Sequence, residues 1–199
     1  MKREFVMWLI IAVLVVGALL LGTQKSEVVA IDFTNTTNQA VDYGSVPEIR
    51  GLIQKSISFS VNQDTLSGGR VLQLSPDNAL ADEYFIVDLN YFDAGDLVFV
   101  AGFSDVPGVW KVDGLTAGGW HKIKITYDGA LTTNKPVIYI DGISMPVTEV
   151  TAPVGTYNTG TNNTFYLGYS GLLVKTIDGK ISDVQIYNAD NDLVWSNET

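Results

Sequence analysis

Gly119-Trp120-His121-Lys122-Ile123-Lys124-Ile125-Thr126-Tyr127-Asp128-Gly129 and, a few residues on, Val137-Ile138-Tyr139-Ile140-Asp141-Gly142-Ile143 decide the fold. In the first stretch Ile123, Ile125 and Tyr127 alternate with Lys122, Lys124 and Thr126. Successive side chains of a strand point to opposite faces, so this spacing predicts a strand with one apolar and one polar side. The second stretch reads as two strands joined by an Asp-Gly turn, since that pair takes up the positive φ angles a tight hairpin needs.

The same period of two runs outward in both directions. Ile57, Phe59 and Val61 alternate with Ser56, Ser58 and Ser60, and Phe85, Val87 and Leu89 repeat the pattern. Further strands are expected near 69–74, 96–101, 108–112, 136–140, 143–148, 164–169, 179–187 and 192–196. Ser67-Gly68-Gly69, Asp113-Gly114, Asp128-Gly129 and Asp178-Gly179 mark the breaks between them. Residues 151–163, rich in Thr, Asn and Gly, read as one long polar loop. Beyond position 30 no stretch keeps a helical period over three turns. More than ten strands, mostly greasy on one side, must close into two packed sheets or a barrel. No internal repeat or long linker divides the chain, so residues 31–199 are expected to form one domain.

The first 30 residues are of another kind. Lys2-Arg3 precede an unbroken apolar or small run, Phe5 through Gly22, with no charge between Glu4 and Lys25. Those eighteen residues would span about 27 Å as a helix, close to the hydrocarbon core of a bilayer. The basic pair before the run keeps the N-terminus inside and sends the rest outward. An uncleaved signal anchor is the favoured reading; a cleaved signal peptide, with Val28-Val29-Ala30 as the small-residue site, is the second. A pilin-like helix lacks the Gly and Glu that its processing needs. The domain is therefore expected outside the membrane, anchored in the first case and secreted in the second.

The 199-residue chain has no cysteine, which excludes disulfides, thiol nucleophiles and Cys-based zinc sites. A domain of this length can bury a sufficient core without them. Its net charge is −10, a field that repels phosphate backbones and argues against a nucleic-acid partner.

Against that background, Gly119 through Gly129 followed by Ile138-Tyr139-Ile140-Asp141-Gly142 resembles the middle of a laminin-G-like jelly roll of the concanavalin A-like lectin/glucanase superfamily. Phe165-Tyr166-Leu167-Gly168 resembles a later strand of that family, and Gly179 through Asn188 its closing strand. Val41-Asp42-Tyr43-Gly44-Ser45 and Ser56-Ile57-Ser58-Phe59 fit the opening strands more loosely. The match departs from the family after Asn188, where Ala189-Asp190-Asn191-Asp192-Leu193-Val194-Trp195 replaces the usual ending. The resemblance implies an all-β, two-sheet antiparallel jelly-roll sandwich, here preceded by the single N-terminal transmembrane or signal helix. Members of the superfamily often carry a structural calcium near the first and last strands. By resemblance its ligands would be Asp32, Asp183 and the carbonyl of Gly44, and oxygen ligands suit Ca²⁺.

The same superfold hosts sugar-cleaving enzymes, whose paired carboxylates must lie about 5–5.5 Å apart across the bond. Their acids alternate along one strand face. Here Asp190 and Asp192 are two apart but lie at the end of the chain, and Asp82-Glu83 are adjacent and would face opposite ways. No catalytic residue is assigned, and the chain is read as a non-enzyme. His121, the sole histidine, is read as structural. Sugars stack on exposed aromatic rings, with a few polar groups to orient them. Trp110, Tyr91, Tyr157 and Tyr169 lie near turns or polar neighbours and are the expected ligand contacts. The expected partner is a glycan or a surface protein. A self-associating structural subunit of a surface layer, fibre or virion is the alternative.

Overall fold

A computed structural model describes residues 30–34, 39–76, 84–159, 163–169 and 176–197. Among the described residues there are fourteen strands and one 3-10 turn, Pro47–Ile49. The first seven strands are β1 (Ile31–Phe33), β2 (Gln39–Ser45), β3 (Gln54–Gln63), β4 (Gly69–Pro76), β5 (Phe85–Leu89), β6 (Asp96–Ala101) and β7 (Gly108–Asp113). The rest are β8 (Trp120–Asp128), β9 (Val137–Ile140), β10 (Ile143–Ser144), β11 (Thr148–Thr151), β12 (Asn163–Tyr169), β13 (Gly179–Tyr187) and β14 (Leu193–Ser196). The first sheet runs β1-β13-β3-β8-β9-β10 with β14 on β13, and the second runs β11-β7-β6-β5-β4-β12-β2. Every strand pairing is antiparallel. Of the two closures that the alternation left open, the described strands form the two packed sheets, the sandwich that the resemblance implied. The expectations placed on positions 1–29 lie outside the described residues.

Register carries the alternation across strands. Ile57 pairs with Ile125 and Phe59 with Ile123, while Ser58 pairs with Lys124 between them. A slip of one residue would turn every apolar side chain to solvent, so burial fixes the pairing. The Asp141-Gly142 turn takes φ of 53° and 80°, the double positive turn expected of a two-residue hairpin. Ile140 and Ile143 close it as partners.

Two expectations on the strands change. The strand expected over 143–148 is two: β10 stays on the first sheet, and β11 crosses to pair with β7 of the second. Pro146 lies in the crossing, where its missing N–H has no ladder to interrupt. The polar loop is also shorter than 151–163, since Thr151 ends β11 and Asn163 opens β12.

The core between the sheets is aromatic at its centre. Trp110 stacks on Phe99 at 6.1 Å between ring centroids, and Tyr127 packs on both, at 5.2 and 5.4 Å. Trp110 was expected to contact ligand; it is 0% exposed and offers no ring face to one. Its parity explains this, since Trp110 shares a strand face with Val112 and opposes Lys111. Gly108 makes room for the indole: a Cβ there would fall 2.2 Å from a ring carbon of Trp110.

Candidate ligand-binding site

The loop from Asn90 to Gly95 joins β5 to β6 and is fixed by one carboxylate. Asp96 is 0% exposed, and its oxygens accept the backbone N–H of Tyr91 (2.8 Å), Phe92 (3.0 Å) and Asp93 (2.9 Å). Asn90 adopts φ of 52°, its N–H donates to the Asp96 carbonyl, and its side-chain oxygen accepts the Gly95 N–H at 2.6 Å. Gly95, at φ of 86°, accepts the N–H groups of Gly114 and Leu115 on its carbonyl, which ties the tip to the β7–β8 loop. A Cβ on Gly95 would meet the carbonyl oxygen of Leu115 at 2.7 Å.

This frame displays two rings in solvent. Tyr91 is 57% and Phe92 46% exposed, edge to face at 4.9 Å between centroids. Beside them Lys111 donates to Asp93 at 2.7 Å and lies 3.5 Å from Asp113. Exposed aromatic surface on a tip that has already lost its backbone freedom costs little further entropy on binding. Rings flanked by a carboxylate and an ammonium group can both stack on and orient a polyol.

The other expected contacts lie elsewhere. Tyr157 is half-buried at the opposite end of the sandwich, its hydroxyl accepting a hydrogen bond from Lys55 Nζ at 2.5 Å. Its ring packs on Tyr84, Phe103 and Tyr127, so it is a wall of the core. Tyr169 ends β12 opposite Gln39, and its side chain lies outside the described residues.

Of the three positions expected to hold calcium, Asp32 and Asp183 lie on the first sheet and Gly44 on the second. Asp32 is exposed on β1, with Lys180 Nζ 3.8 Å away. Asp183 occupies a bulge of β13 at φ of 53° and accepts the hydroxyls of Ser60 and Ser182, each at 3.1 Å. Gly44 is on β2 in the other sheet, at φ of 66°, its N–H donating to Asp42 at 2.6 Å. Among the described residues no three His, Asp or Glu side chains are grouped as they would be around a metal ion.

His121 joins two loops. Its Nδ1 lies 2.7 Å from Asp141 Oδ2, and its Nε2 lies 2.9 Å from the Thr116 hydroxyl. Asp141 also accepts the Lys122 N–H, and that bond, with the one to His121, holds its carboxyl below the usual range. The β7–β8 loop is thereby pinned to the β9–β10 hairpin.

One constellation escaped the sequence reading. On the outer face of the second sheet Arg70 grips Asp88 through two bonds, Nε to Oδ1 at 2.8 Å and a terminal nitrogen to Oδ2 at 3.1 Å. Arg70 also donates to Gln73 at 2.7 Å, and Gln73 to Ser75 at 3.1 Å. All four residues are at most 4% exposed, and Ile86, Val98 and Tyr166 are buried on the same face. β5 is buried at every position and so covered on both sides.

A sandwich of two seven-stranded antiparallel sheets, with loop tips at its ends and no helix in its described core, has the architecture of the concanavalin A-like class. A family model described as "Concanavalin A-like lectin/glucanases superfamily", of the laminin-G type, matches residues 35–190, and the chain belongs to that superfamily. Among solved structures it is similar to the native heptameric SAP-like pentraxin of Limulus polyphemus, with 16% identity, a TM-score of 0.59, and 80% of this chain against 76% of that one. The CBM40 domain of the Ruminococcus gnavus IT-sialidase, solved with α2,3-sialyllactose, matches with 13% identity, a TM-score of 0.57, and 84% of this chain against 94% of that one. Mouse laminin α1 domains LG4-5 match with 14% identity and a TM-score of 0.56, over 84% of this chain but 43% of that one. At such identities the likeness is one of fold. No curated protein matches the chain.

Proposed function

We propose that this protein is a non-catalytic binding module for carbohydrate, held outside a membrane by its apolar N-terminal run or secreted after that run is removed. The observation that carries the reading is the Tyr91–Phe92 pair, two exposed rings on a tip set by the buried Asp96 carboxylate. Sugar C–H faces stack on such rings, and Asp93 and Lys111 stand ready to order the hydroxyls. Membership of a lectin-bearing superfamily supports it, as does the likeness to a CBM40 domain that holds a sialylated trisaccharide. The non-catalytic part rests on the absence of two acids spaced along one strand face, which a glycosidase of this fold would use.

A glycan array probed with the full chain tests the reading. Saturable binding of neutral glycans that is lost in Tyr91→Ala and Phe92→Ala is expected, with unchanged melting temperature. A folded chain that binds no glycan, or variants that bind as well as the parent, would overturn it.

A further inference from the structure

Trp120, Lys122, Lys124 and Thr126 take alternate positions on β8 and are all exposed, while Ile123, Ile125 and Tyr127 between them are buried. Their neighbours on β3 are short: Lys122 faces Ser60, and Lys124 faces Ser58. On the other flank Lys124 faces Tyr139 of β9. Short hydroxyls on one side and a tyrosine on the other leave a depression of about 340 Å³, lined by Lys122, Lys124, Thr126, Tyr139 and Gly142.

Two exposed lysines on this face stand out against the acidic balance of the molecule. The chain carries −10 overall, and its other described lysines are engaged. Lys111 lies on Asp93, Lys135 near Glu149 and Lys180 near Asp32, while Lys55 is inside the core. Lys122 and Lys124 form no ion pair among the described residues. The nearest acids are held by other partners while keeping their charge: Asp141 lies against His121 and accepts the Lys122 backbone N–H, and Asp183 accepts from two serine hydroxyls. Two unpaired ammonium groups thus stand on one face, their stems about 7 Å apart by the strand repeat.

We propose that this depression is a second binding site, for a sugar bearing one acidic group, with the carboxylate between Lys122 and Lys124 and the ring against Tyr139. Flexible lysine stems let both ammonium groups reach a single carboxylate, and charge-assisted hydrogen bonds are the stronger kind. The charge of the whole chain disfavours highly charged ligands, because the repulsion that a polyanion meets beyond the two lysines grows with its charge and is least for a monoanion. The site lies on the other sheet from the Tyr91–Phe92 tip, so each can fail without the other.

Methyl β-glucuronide and methyl β-glucoside differ in that one group and serve as probes, titrated into the full chain and followed by backbone amide NMR. The glucuronide is expected to shift the amides of residues 122–126 and of Tyr139 and to bind about fivefold to tenfold more tightly than the glucoside. Added salt should narrow the difference. Lys122→Gln with Lys124→Gln should erase it without moving the melting temperature, while Tyr91→Ala leaves it intact. Equal response to the two sugars, shifts confined to other strands, or undiminished preference in the double glutamine variant would overturn the proposal.

Discussion

Lys55 Nζ donates to the hydroxyl of Tyr157 across 2.5 Å, at a point where the lysine is only 2% exposed. The ammonium group sits among four rings, 4.6 Å from the centroid of Tyr157, 5.2 Å from Tyr84, and 5.8 Å from both Phe85 and Tyr127. Burial pushes the amine down to about 7, against the pull of the Asp128 charge, which favours the ammonium form. The ring faces pull the same way as Asp128. In the folded protein the group is therefore near balance at neutral pH.

That balance predicts a pH dependence of stability. The folded amine titrates at about 7 and the unfolded one near 10.5, so the unfolded chain binds more protons between those values. The penalty is complete below pH 7 and fades as pH rises towards 10.5. Lys55→Met should be the more stable protein at pH 6, by about 2–4 kcal/mol once ring contacts are allowed for, and the gap should shrink by pH 9.5. Urea unfolding of both proteins at pH 6, 8 and 9.5 checks this, below the range where the buried tyrosine hydroxyls, themselves pushed up, begin to ionise. A gap that does not move with pH would contradict the account.

The Gly108–Trp110 contact predicts a coupled pair. Gly108→Ala forces a methyl group into the indole and should cost about 1–3 kcal/mol. Trp110→Leu removes the obstacle at the expense of the stack on Phe99, and the double variant should cost less than the sum of the two. Chemical unfolding of the three variants measures the coupling, and strict additivity would show that the two sites do not touch.

The buried Arg70–Asp88 pair should behave asymmetrically. Arg70→Met alone leaves Asp88 charged and dry, a loss of about 3–5 kcal/mol. Arg70→Met combined with Asp88→Leu should recover most of that, since an apolar pair of similar volume removes both desolvation costs. Denaturant midpoints decide it. A double variant as unstable as the single one would mean that the pair holds more than its partner.

How much of this could be read from the chain depended on the range of the signal. Turn chemistry is local, so Asp141-Gly142 gave away its hairpin, and strand parity is nearly so, which is why Ile57, Phe59 and Val61 were placed inward. Parity also carried information that went unused. Lys55 shares its face with Ile57, and Trp110 with Val112, so both are interior by spacing alone. Tyr91 lies near a turn, and its ring is exposed there because the β5–β6 loop has no facing sheet to cover it. The Arg70–Asp88 grip needed the β4–β5 register, which no local pattern supplies. Asp32, Asp183 and Gly44 were chosen by resemblance, and the topology sets Gly44 on the opposite sheet from the other two.

The Asn90–Gly95 tip stands or falls with its frame. Asp96→Asn would turn an amide N–H towards one of three backbone donors and should destabilise the protein by about 1–3 kcal/mol. Hydrogen exchange at Tyr91, Phe92 and Asp93 should quicken while the core strands keep their protection. Exchange that stays slow at those three amides would show that the carboxylate does not hold the loop.

Saturation-transfer NMR touches the central claim most directly: aromatic protons of the full chain are irradiated and the signal is read on the ring protons of a bound glycan. Transfer to the C–H protons of a neutral glycan is predicted for the parent chain and should fall sharply when Tyr91→Ala and Phe92→Ala are combined in a protein that still melts at the parent temperature. Undiminished transfer in that variant would place the ligand elsewhere and contradict the account.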